Sequence, residues 1–167
     1  MAFTLRNVTG ERSTVELRVV GGRGIRAHSS HKSSRRYPAP DTARRTILYI
    51  GADPDCRVVL SRIVRRLDRV HLVATQTGRE GRLLAVSCTP NLIVLDAQLP
   101  ACGAHNLLSY LARSAFTAAI PLVIVSGNED ERTEFIRAGA AAWMTKPLRI
   151  SEVERTTTAL LELVSLR

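Results

Sequence analysis

The sequence predicts an α/β protein, an open, doubly wound parallel sheet of five strands with helices between them. Three observations carry that prediction. Short β-branched runs alternate with helical segments five times from Thr46 onward. Those runs are apolar throughout, as suits parallel strands covered on both faces. Acids or hydroxyls stand where several of the runs stop, at the sheet edge where such folds place their ligand crevice.

The strands are read at 46–50 (TILYI), 71–75 (HLVAT), 92–96 (LIVLD), 121–126 (PLVIVS) and 141–146 (AAWMTK). The segments between them carry one apolar stripe each: Val59, Ile63 and Leu67 in the first, Leu107, Leu108 and Leu111 in the third. In the last segment Ile150, Val153, Thr157, Leu160 and Val164 recur at helical spacing. Asp53-Pro54 marks the start of the first helix, with an N-cap carboxylate and a proline in the first turn. Ser151 with Glu154 three residues on predicts a capping box for the last. The residues to examine for function are those just past the strands: 51–55, 96–102, 126–130 and 146–147.

Composition narrows the class. Apolar residues make up 45% of the chain and aromatics only 4%, so the core must be built of Val, Leu, Ile and Ala. No stretch approaches the roughly 18 uninterrupted apolar residues of a membrane span, and the arginines near the start precede no signal-like apolar segment. Cys56, Cys88 and Cys102 are odd in number and lack C-x-x-C spacing, which favours reduced thiols in a cytoplasmic protein over a disulfide framework or zinc site. Cys102 has no neighbouring His or Lys that would lower its pKa and is read as inert. His28, His31, His71 and His105 are scattered.

Charge divides the chain. Residues 1–45 hold ten Lys and Arg against three acids; the remainder holds fourteen against twelve. The reading is a basic, flexible N-terminal extension over 1–45 and a folded domain over 46–167. Residues 21–45 are rich in Gly, Ser, Arg and Pro without apolar period. Strand-like alternation before them allows a small hairpin, though an isolated hairpin is marginal in water and disorder is the default. The arginine-rich stretch 21–45 has one aromatic, Tyr37, and no binding motif, so a nucleic-acid role is disfavoured. Gly21, Gly22 and Gly24 follow no strand of a βαβ unit and are not a dinucleotide fingerprint.

The residues at the strand ends resemble those of the receiver domain of two-component response regulators, over essentially all of 46–165. Asp96 ends the third strand in LIVLDAQLP where that family carries its phospho-accepting aspartate. Ser126, in LVIVSGNED, falls at its phosphoryl-contacting hydroxyl. Lys146-Pro147, in WMTKPL, matches the family's lysine followed by a proline, and Trp143 sits where it places a switch aromatic. The resemblance implies a flavodoxin-like (βα)5 sheet of order 2-1-3-4-5 and Mg²⁺ as cofactor. It also implies a sensor histidine kinase or phosphotransfer protein as partner. A downstream protein target would meet the face of the fourth helix, fifth strand and fifth helix, and a homodimer is a further option.

One departure stands out. The family carries two adjacent acids directly after the first strand, which supply most of its metal ligation; this chain has Gly51 and Ala52 there. Asp53 is one residue out of register and committed to the helix cap, so the remaining metal set is the weak one of Asp53, Asp96 and Gln98. Without the acid pair, Asp96 and Lys146 are expected to form a direct ion pair. The expected function is a stand-alone, atypical receiver that acts through protein–protein contacts and is not an enzyme, with Asp96 as the candidate phosphoacceptor. The alternative is a phosphorylation-independent adaptor, with the basic extension supplying affinity for nucleic acid.

Overall fold

A computed structural model describes residues 2–6, 12–16, 44–99 and 103–165. Contacts divide the chain into two units, Met1–Asp41 and Thr42–Arg167. In the first, Ala2–Arg6 and Arg12–Glu16 pair as an antiparallel hairpin with Ala2 opposite Glu16. The extension, expected to be disordered as a whole, therefore contains the small hairpin that its alternating residues allowed. Residues 17–43 lie outside the described residues.

The second unit holds β1 (Arg45–Ile50), α1 (Pro54–Val64), β2 (Val70–Thr75), α2 (Gly78–Cys88) and β3 (Leu92–Asp96). There follow α3 (Ala104–Arg113), β4 (Leu122–Ser126), α4 (Arg132–Arg137), β5 (Ala142–Thr145) and α5 (Ile150–Ser165). The strands form one parallel sheet in the order β2-β1-β3-β4-β5, the topology expected. The central strands β3 and β4 are buried at every position, which is why they read as unbroken apolar runs.

Strand alternation assigns the two faces. Ile47, Tyr49, Leu92, Val94, Val123, Val125 and Met144 share a core with Cys56, Leu60 and Ile63 of α1 and Val153 and Leu161 of α5. On the opposite face α2 comes so close to β1 that a Cβ at Gly81 would lie 2.6 Å from Ile50 Cδ1, so glycine is what permits the contact. Phe135 of α4 packs near Trp143, their ring centroids 5.9 Å apart.

One local expectation is corrected. The capping box at Ser151 and Glu154 does not form, because α5 starts at Ile150 and Ser151 is already helical. Packing of Ile150 against the core sets the start, and Glu154 faces Arg66 of the segment after α1 at 3.6 Å instead. The fourth helix has only six residues, since Glu129–Glu131 forms a 3-10 turn ahead of it.

Candidate phosphoryl site and its ion triad

The pleat explains which strand-end residues meet. Asp96 continues the Leu92–Val94 face of β3, Lys146 follows two residues after Met144, and Gly51 follows two after Tyr49, so all three emerge on the α1/α5 side of the sheet. Asp96 is 3% exposed. Its Oδ2 lies 2.8 Å from Lys146 Nζ, and its Oδ1 accepts a hydrogen bond from the backbone N–H of Gln98 at 3.0 Å. The expected Asp96–Lys146 ion pair is present, with Lys146 joined to Pro147 by a cis peptide.

Asp53 departs from expectation in one respect. One carboxylate oxygen does cap α1, accepting from the N–H groups of Asp55 at 2.9 Å and Cys56 at 3.2 Å. The other oxygen reaches Lys146 Nζ at 2.8 Å. A carboxylate has two acceptor oxygens, so the cap does not exclude it from the site. Lys146 therefore bridges two carboxylates, and Asp53, Lys146 and Asp96 make a triad.

Electrostatics follow from this geometry. Hydrogen bonding by Lys146, aided by the Cys56 N–H and opposed by partial burial, holds the Asp53 carboxyl down at about 2. Burial works against the charge of Lys146, but the hydrogen bonds to Asp53 and Asp96 outweigh it and raise its pKa. Burial is also the main reason that the Cys56 thiol is pushed up to about 12, which makes it an inert core residue.

A pH dependence results. The folded pKa of Asp53 lies below its ordinary value of 3.8, so its contribution is complete above the unfolded pKa and is lost as pH falls toward 2. For a partly exposed pair the contribution is on the order of 1–2 kcal/mol. Asp53→Asn, which keeps a good N-cap but loses the charge, is expected to flatten the acid limb between about pH 5 and pH 2 in urea melts. An unchanged acid limb would dissociate Asp53 from Lys146.

Ser126 and Trp143 belong to a different cluster. Ser126 Oγ donates to Glu131 Oε2 at 3.3 Å and accepts from the Asn128 N–H at 3.1 Å. Trp143 is buried, and its Nε1 donates to Glu129 Oε1 at 3.4 Å; Thr145 Oγ1 donates to the same oxygen. The Thr145 bond is the main reason that the Glu129 carboxyl sits below its usual range. Phe135 stacks on His105 of α3, centroids 3.8 Å apart. Sequence reasoning missed Glu129, Glu131 and Tyr49. The acidic stretch GNEDE (127–131) after Ser126 signals the first two, and the alternation of Tyr49 with Gly51 signals the third.

The donor set does not suit a divalent cation. Mg²⁺ prefers an octahedral shell of hard oxygens, typically one or two free carboxylates with waters. Here the carboxylates that follow β1 and end β3, Asp53 and Asp96, are both bonded to the Lys146 ammonium, and Gly51 and Ala52 offer no side-chain oxygen. The Gln98 side chain is exposed, and its backbone N–H is turned to Asp96. No group of three or more His, Cys, Asp or Glu suited to a metal occurs among the described residues. Cys102 lies outside them.

With the sheet order established and a carboxylate, a lysine and a hydroxyl at its strand ends, the class is a flavodoxin-like (βα)5 fold. The response regulator receiver domain family matches residues 47–158, and the chain belongs to that family. Among curated relatives, the transcriptional regulator RpaA of Synechocystis is 33% identical over 86 residues, which cover 50% of this chain and 36% of that protein. Protein PilH of Pseudomonas aeruginosa is 28% identical over 93 residues, covering 54% and 76%. PhoB of the same organism is 27% identical over 111 residues, covering 65% and 48%. The match thus spans about a third of RpaA and about half of PhoB.

Solved structures agree on the fold. A response regulator of Chloroflexus aurantiacus superposes with a TM-score of 0.66 at 18% identity, over 71% of this chain and 98% of that one. The receiver domain of the histidine kinase PA1611 of Pseudomonas aeruginosa gives 0.64 at 18%, over 72% and 99%, and holds a magnesium ion in its active-site cleft. Receiver domains are signalling modules that meet histidine kinases or phosphotransfer proteins and downstream effectors. No helix among the described residues is long and apolar enough to cross a membrane.

Proposed function

We propose that this chain is a cytoplasmic receiver that signals through protein–protein contact, without turnover, in a conformation held by its own ion triad. The carrying observation is the bridging of Asp53 and Asp96 by Lys146 Nζ at 2.8 Å on each side. A receiver that takes a phosphoryl group on Asp96 must present that carboxylate free and offset the donor's charge with a cation. In this chain an ammonium already occupies the carboxylate, and the residues offer no good cation shell. The constitutive adaptor is therefore the favoured reading, its partner meeting the face of α4, β5 and α5.

A second reading is favoured by a specific observation. Asp96, Ser126 and Lys146 all stand at strand ends, a set that an inert adaptor does not chemically need. Under that reading Asp96 is phosphorylated by a histidine kinase or phosphotransfer protein, Ser126 leaves Glu131 to bind the phosphoryl oxygens, and Trp143 reports the change. Intact-protein mass after incubation with a small phosphodonor and Mg²⁺ separates the two, with Asp96→Asn as control. No adduct on folded protein is the expected result; an adduct on the wild type alone would establish the phosphorylated reading.

A further inference from the structure

Tyr49 and Gly51 stand two residues apart on β1 and its extension, and so on the same face as Asp96 and Lys146. Tyr49 is fully buried, a large polar-tipped ring in a core cluster whose other buried members are aliphatic residues with Cys56 and Met144. Its hydroxyl donates to the backbone oxygen of Asp53 at 3.3 Å, which places the phenol tip under the loop that follows β1. A Cβ added at Gly51 would lie 2.5 Å from that hydroxyl oxygen, 2.7 Å from the adjoining ring carbon and 2.7 Å from Asp96 Cβ. Contacts that close are not tolerated, so no side chain enters at position 51 while the phenol is in place.

We infer that Tyr49 is a built-in plug: its phenol, together with Asp96 Cβ, fills the space at the end of β1 that a cation-binding acid at position 51 would need, and glycine there is the joint consequence. The two residues are one unit. Reintroducing a carboxylate at position 51 requires removal of the ring. The phenol also supports the peptide of Asp53, the residue that shares Lys146 with Asp96, so the plug and the ion triad are joined through one loop. A buried tyrosine is a poor cation ligand, because burial pushes its pKa far above the ordinary value of 10 and keeps it protonated. The inference rests on the metal-independent reading given above and assigns its cause to a particular pair of residues.

The test uses the full-length chain and Mg²⁺ titrated by calorimetry, with folding checked by circular dichroism. The variants are Gly51→Asp/Ala52→Asp, which restores two acids, and Tyr49→Val/Gly51→Asp/Ala52→Asp, which also removes the ring. Mg²⁺ is expected to bind the triple variant roughly ten-fold or more tightly than it binds either the wild type or the acid-pair variant. If the acid-pair variant binds as tightly as the triple variant, the plug is overturned while the wild type remains metal-independent. Absence of any gain in a folded triple variant also overturns it. Binding by the wild type at the triple variant's affinity overturns both the plug and the reading beneath it.

A stability arm covers the case in which added acids prevent folding. Gly51→Ala is compared in the wild-type and Tyr49→Val backgrounds. The clash with Asp96 Cβ is common to both, and that with the phenol is present in the first alone. The melting temperature should fall further in the wild-type background, by about 3 °C or more. Equal falls would overturn the proposal.

Discussion

Lys146→Met is expected to destabilise the domain by about 3–5 kcal/mol at neutral pH, as breaking one side of a buried ion pair does. The methionine fills a similar volume, so the loss is electrostatic. Asp96, with 4% of its side chain exposed, would be left facing Asp53 without a cation between them. Two carboxylates in that position disfavour each other's charge. The double variant Lys146→Met/Asp96→Asn should recover much of the loss, since removing both partners is far less costly than removing one. Urea melts of the three proteins at neutral pH test this. A Lys146→Met protein within about 1 kcal/mol of wild type would mean that the triad contributes little to holding the conformation.

The second large effect concerns the other side of the sheet. Phe135→Ala is expected to cost about 3–5 kcal/mol, the usual range for emptying a buried aromatic position. Phe135 is 2% exposed and lies between His105, stacked at 3.8 Å, and Trp143 at 5.9 Å. It is the one buried residue of the six-residue α4, so its loss should loosen that helix and the 3-10 turn before it. Trp143 is the only tryptophan in the chain. Its emission should shift to the red in the folded variant as water reaches the ring. Unchanged emission at reduced stability would show that α4 and Trp143 are held independently. That outcome would weaken the case for one responsive α4–β5–α5 face.

These two experiments address the two halves of the site separately. The triad of Asp53, Lys146 and Asp96 lies on the α1/α5 side. Ser126, Thr145 and Trp143 are engaged with Glu131 and Glu129 on the loop leading to α4. Ser126, at the end of β4, is turned to Glu131 and not to Asp96.

Much of the architecture was legible in the sequence because a parallel sheet buried on both faces leaves an unmistakable record. Unbroken apolar runs ending in Asp96 and Ser126, spaced by amphipathic segments, admit few other folds, and the motif residues at the strand ends named the family. The Asp53 cap was equally legible, since Asp-Pro before an apolar stripe is a local signal. The start of α5 was not, because the core contact of Ile150 outweighed the local capping preference of Ser151. Nor was the second role of Asp53: which oxygen of a capping carboxylate is free, and what stands 2.8 Å from it, depends on Lys146, 93 positions later in the numbering. Sequence alone determined that Gly51 and Ala52 follow the first strand. Only the tertiary structure decided what fills the space, because a phenol two residues away on the same face becomes an obstacle only when the sheet brings Asp96 alongside it.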